Sequence, residues 1–208
     1  LPSLAGCKCW GGLDLARTTD FNAFVLVFNE NEKFQVVPYF WLPEEVYKRG
    51  DRGIDYLRWN DYILRTPGDI VEHSFIADKI LELSRVYDIQ GINFDRNMAY
   101  ANLIQVLKDE LTDKMYDFNQ SIAYMSEPTK EFERKVHQQT IVHDGNPVIR
   151  WQLSNVSIYT DTTGNIKITK DKKEKKVDGP VAAVMALAGW MKPGEEDNIY
   201  NKRGVYSV

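Results

Sequence analysis

The first 42 residues hold three strand-like runs joined by short polar turns, and this spacing narrows most what the chain can fold into. Residues 8–16 (Lys-Cys-Trp-Gly-Gly-Leu-Asp-Leu-Ala) read as a first strand, residues 21–29 as a second and the aromatic-rich residues 33–42 as a third. Asn29-Glu30-Asn31-Glu32 is a polar turn between the last two. Runs this close in sequence predict an antiparallel meander. Pro43 and Glu44-Glu45 then signal a helix start, since proline fits the first turn and acids suit the positive end of the helix dipole. Residues 43–49 and 54–65 are expected to be helical, split by Gly50-Asp51-Arg52-Gly53.

Further along, strand and helix signals alternate. Phe75, Ile76, Ile80, Leu83 and Val86 recur at helical spacing within residues 73–88. Gly91–Asp95 reads as a short strand, 99–111 as an amphipathic helix, 121–124 as a strand and 128–141 as a charged helix. Asp144-Gly145-Asn146-Pro147 marks a turn. Val156–Tyr159 and Ile166–Ile168 flank a polar loop, which predicts a hairpin. Asp178-Gly179-Pro180 opens a helix of small residues that runs to Trp190. A meander followed by alternating elements predicts an α/β fold, a mixed sheet with helices on both faces. At 208 residues the chain is read as one domain, with a core over about 8–191 and a polar tail over 192–208.

Several classes fall away. No stretch approaches 18 consecutive apolar residues, so no membrane partner is expected. The first residues lack the basic and apolar regions of a signal peptide, and Leu1 in place of methionine points to a piece of a longer chain. A net charge of -4 argues against a generic polyanion binder, so a nucleic-acid contact would need a local basic patch. Cys7 and Cys9 have no second cysteine pair to complete a zinc site and read as inert thiols. Neither a G-x-S-x-G nucleophile motif nor a G-x-x-x-x-G-K-[ST] phosphate loop occurs.

Three aspartates stand in distinctive places. Asp14 lies inside the apolar first strand, Asp95 ends an apolar strand, and Asp178 begins a helix. A carboxylate in an apolar strand is costly unless it pairs, hydrogen-bonds or binds a metal. If the two strands lie side by side, Asp14 and Asp95 face one cleft and the helix start delivers Asp178 to its rim. Mutual repulsion would shift their pKa values, and divalent cations would relieve it. Oxygen-only ligands suit Mg²⁺ or Mn²⁺. Plainer readings remain open: Asp178 as an N-cap, Asp95 paired with Arg96, and Asp20 as a turn residue. Six lysines lie within residues 167–176 against Asp171 and Glu174. They read either as a solvated hairpin or as a phosphate-backbone contact beside the metal site.

In order and spacing, Gly11-Gly12-Leu13-Asp14-Leu15-Ala16, Thr18-Thr19-Asp20-Phe21-Asn22-Ala23, Ile92-Asn93-Phe94-Asp95, His143-Asp144-Gly145-Asn146-Pro147 through Trp151, Ser154-Asn155-Val156 and Lys176-Val177-Asp178-Gly179-Pro180-Val181-Ala182 form a pattern. Over most of residues 9–191 it resembles the C-terminal nuclease domain of tailed-phage or prophage terminase large subunits. The resemblance implies an RNase H-like fold with an inserted hairpin before the last helix. It implies Asp14, Asp95 and Asp178 as the catalytic, metal-binding triad, with Asp20 in a supporting position. Lys170, Lys172, Lys173, Lys175 and Lys176 would hold the DNA backbone. The implied reaction is two-metal phosphodiester hydrolysis of double-stranded DNA with Mg²⁺ or Mn²⁺, in the cytoplasm of the bacterial host. Implied partners are an upstream ATPase domain, a portal protein and a small terminase subunit. The alternatives are a Holliday-junction resolvase or RNA–DNA hybrid nuclease of the same fold, or a mainly docking module.

Overall fold

The computed structural model describes residues 3–192 apart from Arg17, Arg52, residues 96–100 and Lys173. The expected meander is present as β1 (Lys8–Asp14), β2 (Asn22–Glu30) and β3 (Lys33–Pro43). Each neighbouring pair is antiparallel. The chain continues through α1 (Glu44–Arg49), β4 (Leu64–Thr66), α2 (His73–Val86), β5 (Asp88–Asp95), α3 (Ala101–Leu111) and β6 (Met115–Phe118). It closes with α4 (Ile122–His137), β7 (Ile141–His143), α5 (Pro147–Leu153), the hairpin β8 (Ser157–Thr160) and β9 (Ile166–Thr169), and α6 (Asp178–Met191).

Among the described residues, seven strands form one mixed sheet in the order β4-β3-β2-β1-β5-β6, with β7 also on β3. β1 and β5 run parallel, with Leu13 opposite Phe94. The next residues of the two strands are Asp14 and Asp95, so both aspartates end their strands on the same edge of the sheet. This is the expected mixed α/β arrangement, with the inserted hairpin ahead of the last helix.

Both faces of the central strands are apolar, and alternation sorts them. Phe24, Leu26 and Phe28 of β2 pack with Ile76, Ile80, Leu103 and Leu107 of α2 and α3. Ala23, Val25 and Val27 face the other way, toward Ala182, Ala183, Ala186 and Leu187 of α6. A helix that is apolar all round belongs in a core, and α6 is buried from Gly179 through Ala188. Its small residues let it lie tightly on β1. A Cβ added at Gly12 would stand 1.9 Å from the Ala182 carbonyl oxygen.

Several expectations are corrected. Residues 54–65 are not a helix: only a 3-10 turn, Tyr56–Trp59, forms, capped by the Asp55 carboxylate, and β4 follows. Tyr56 and Trp59 are drawn into a buried aromatic cluster with Phe21 and Trp151, and this packing overrides the local pattern. The strand expected at 121–124 lies earlier, at β6. Ser121 is instead the N-cap of α4, which starts at Ile122 and carries Pro128 in its interior rather than beginning there. β7 and α5 answer to no predicted element. Phe75, assigned to the core face of α2, is 45% exposed. The 99–111 helix begins at Ala101, and residues 193–208 of the expected tail lie outside the described residues. Cys7 and Cys9 are free thiols, and burial pushes that of Cys9 up to about 12. Among the described residues no helix is long and apolar enough to cross a membrane.

Candidate active site

Asp14 is the last residue of β1, and its partly exposed side chain is ringed by protein. Its Oδ1 accepts a hydrogen bond of 3.1 Å from the Gln120 amide. Burial is the largest influence on its carboxyl. Asp178, Asp95 and Asp20 add to it against the Gln120 bond, and the pKa is pushed up to about 8. Asp178 is the first residue of α6. Burial, followed by the charge of Asp20, pushes its carboxyl up to about 7, against its own backbone hydrogen bond and the charges of Lys170 and Lys176. Val177 is the N-cap, and the Asp178 side chain makes no capping bond. The plain N-cap reading of Asp178 therefore does not hold. Its Oδ2 is buried without a hydrogen-bond partner. Arg96, the alternative partner for Asp95, lies outside the described residues.

The fold fixes these positions from below. The Asn93 amide, two residues before Asp95, donates to the Met185 carbonyl of α6 at 2.8 Å, tying β5 to the helix. The Gln152 Oε1 accepts the Gly179 N–H at 2.6 Å and anchors the start of α6 to α5. Phe40 and Ile149 leave no room for a side chain at Gly179. Asn146 caps α5 through bonds to Val148 and Ile149, with Pro147 in the first turn.

Asp20 lies in the turn after β1. Its Oδ1 accepts the Phe21 N–H at 2.8 Å and stands 2.7 Å from the Lys176 Nζ. Lys176 is thereby separated from the rest of the lysine run. It is only 6% exposed and also pairs with Asp51 at 3.3 Å. Its burial works against its charge, yet the two carboxylates outweigh that and hold its pKa above the usual lysine value. The expected role of Lys176 as a DNA-backbone contact is corrected on that ground. Lys172 is exposed, Lys175 is half-buried and pairs with Asp171 at 3.0 Å, and Lys170 lies close enough to lower the pKa of Asp178. Lys173 lies outside the described residues.

Sequence reasoning missed Gln120, because residues 121–124 read as a strand and nothing marked the loop after β6. It also missed Asp51, which looked like part of a polar spacer.

Among the described residues no three His, Cys, Asp or Glu side chains form a ready-made metal cage. The donor chemistry nevertheless fits a hard divalent cation. The donors are all carboxylate oxygens, one of them is a buried orphan, and two carboxyls are raised by burial and by neighbouring carboxylates, which a cation would reverse.

The sequence profile described as terminase large subunit, endonuclease domain, matches residues 1–195. Protein YmfN of Escherichia coli strain K12 is 27% identical over 229 aligned residues, which take in all of this chain and 49% of that protein. The terminase large subunit of Enterobacteria phage HK97 is 28% identical over 190 residues, 86% of this chain and 37% of that one. The chain thus spans about half or less of the length of these relatives. The crystal structure of the HK97 large terminase superposes with a TM-score of 0.79 at 26% identity, over 91% of this chain and 40% of that one. The large terminase nuclease of thermophilic phage G20c, solved with bound magnesium, has a TM-score of 0.58 at 11% identity, over 87% and 80% of the two chains, and shares the fold.

Proposed function

The chain belongs to the terminase large subunit endonuclease domain family, and from that premise we propose that it is a metal-dependent endonuclease that cuts double-stranded viral DNA concatemers during genome packaging. The observation that carries this reading is that Asp14 lies within electrostatic reach of both Asp95 and Asp178, at the ends of β1 and β5 and the start of α6. These three would hold Mg²⁺ or Mn²⁺, with Asp14 shared because it feels both of the others. When bound, such ions supply charge neutralisation at the scissile phosphate and a more acidic water. The magnesium bound by the G20c nuclease supports this choice of cation.

The chain's own residues do the rest. Asp14, Asp95 and Asp178 present carboxylate oxygens at one edge of the sheet. Gln120 holds Asp14 Oδ1 in a fixed direction. Lys170, Lys172 and Lys175 would contact phosphates on the duplex, positioning it with little reading of sequence. The products would be a 3′-hydroxyl and a 5′-phosphate. The greater length of the relatives supports an ATPase domain elsewhere in the full protein. The site of action would be the host cytoplasm, with a portal protein and a small terminase subunit as partners. The described unit, with its inserted hairpin, would be one nuclease domain.

The test is cleavage of supercoiled plasmid with Mg²⁺, Mn²⁺ or EDTA, beside Asp95→Asn. Nicking and linearisation that need the cation and vanish in the variant are expected. Equal cleavage by Asp95→Asn would place the activity elsewhere. Preference for four-way junctions or RNA–DNA hybrids over linear duplex would replace the substrate in this proposal.

A companion prediction concerns the lysines. Replacing Lys170, Lys172 and Lys175 together with alanine should weaken duplex binding evenly across sequences. The salt slope of log K should fall by roughly 1 for each phosphate left without its lysine. Binding measured from low to moderate salt on two unrelated duplexes checks it, and an unchanged slope would remove these residues from the DNA path.

A further inference from the structure

Lys176 is the charged side chain that the fold buries among the described residues, and it does so at the edge of the carboxylate cluster. Its ammonium bridges Asp20 Oδ1 at 2.7 Å and Asp51 Oδ2 at 3.3 Å. Its carbonyl accepts a buried hydrogen bond of 3.0 Å from the Asn155 amide. Asp178 follows two residues later. Lys176 thus joins the turn after β1, the loop after α1 and the end of α5 at the start of α6.

Asp20 is the carboxylate this arrangement restrains. Its side chain is 40% exposed and is fixed through one oxygen by the Phe21 N–H and the Lys176 ammonium. Its charge reaches both Asp178 and Asp14. Released, it would be a fourth carboxylate for a cation held by Asp14, Asp95 and Asp178. Cation affinity rises with the number of charged ligands, while Mg²⁺ sites that act on phosphates use one or two carboxylates and keep positions for phosphate and water. A further carboxylate would tighten the cation and occupy a position that the substrate needs.

We propose that Lys176 is a positioning residue that holds Asp20 out of the cation site. The assignment rests on the cation-binding reading given above. It predicts opposite signs for two measurements, whereas a merely structural role would weaken both together.

The experiment compares wild type with Lys176→Met. Mg²⁺ and Mn²⁺ are titrated calorimetrically into the protein without DNA, and plasmid nicking is measured at saturating cation. Cation binding should become at least about fivefold tighter, while nicking falls at least about tenfold. Adding Asp20→Asn to Lys176→Met should abolish the gain in affinity. Should Lys176→Met fail to fold, Asp20→Asn alone decides. Its cation affinity should stay within about threefold of wild type, whereas loss of a ligand would cost about tenfold or more. Unchanged or weaker cation binding in folded Lys176→Met, or that tenfold loss in Asp20→Asn, would overturn the proposal. A wild type that binds cation and follows this pattern but nicks no DNA would leave the role of Lys176 standing and remove the nuclease reading. A wild type that binds no cation would remove both.

Discussion

Asp14→Asn should abolish cation-dependent cleavage and, in the absence of cation, make the protein more stable. The first effect follows from the proposed role of Asp14 as a shared ligand. Residues that only orient metal ligands already cost about 10–100-fold when lost, so a ligand between two sites should cost at least about 100-fold. The second follows from its raised pKa, up to about 8 in the folded protein against 3.8 for an ordinary aspartate. The sign is set by proton binding. Between about pH 4 and pH 8 the unfolded chain has released this proton while the folded protein still holds it, so stability falls as pH rises through that window. Asp178 adds to the same trend up to about pH 7. Metal-free wild type should therefore melt at progressively lower temperature from pH 5 to pH 8, and Asp14→Asn should show a shallower decline. Relief of even about 1 kcal/mol would raise its Tm by about 2–4 °C at the alkaline end. Cation at a hundred times its dissociation constant should raise the wild-type Tm by about 5–10 °C, from roughly 2.7 kcal/mol of linkage. Asp14→Asn should lose that rise. Thermal melts with EDTA and with Mg²⁺ at several pH values check both signs, and a variant less stable than wild type at pH 8 in EDTA would contradict them.

The second large effect is expected at Gly12. An added Cβ would stand 1.9 Å from the Ala182 carbonyl oxygen and 2.7 Å from the Ala186 nitrogen, both backbone atoms of a buried helix. No rotamer change relieves that clash, so α6 must lift from the sheet and Asp178 must move with it. Overpacking typically costs 1–3 kcal/mol where side chains can yield, and a backbone clash belongs at or above the upper figure. Gly12→Ala should thus lower Tm by about 10 °C or more and lose cleavage together with cation binding. Gly189→Ala is the control, because its Cβ would meet side-chain atoms of Asn93 and Trp10 at 3.3 Å. Its Tm should change by only a few degrees. A Gly12→Ala protein as stable as wild type would mean that α6 does not lie this closely on β1.

Much of this arrangement was legible because it is written in local pattern. The meander, the 157–169 hairpin and the small-residue helix all follow from periodicity, turn residues and residue size. The three aspartates stood out because each interrupts an apolar run or begins a buried helix. What escaped was decided by distant partners. β4 and β7 are three residues each and are strands because β3 offers them an edge. The 3-10 turn at Tyr56–Trp59 reflects aromatic packing against Phe21 and Trp151 rather than helical preference. Lys176 looked like its neighbours in a lysine run, and only the fold brings Asp20 and Asp51 to it. Gln120 carried no signal at all until β6 and α4 placed it beside Asp14.

The central claim is that Asp14, Asp95 and Asp178 together hold a divalent cation. The most direct measurement is anomalous scattering from a crystal of this protein soaked in Mn²⁺, beside an identically treated Asp178→Asn crystal. Manganese peaks within coordination distance of all three carboxylates, lost or weakened in the variant, are predicted. Peaks elsewhere on the surface, or an unchanged peak in Asp178→Asn, would contradict it.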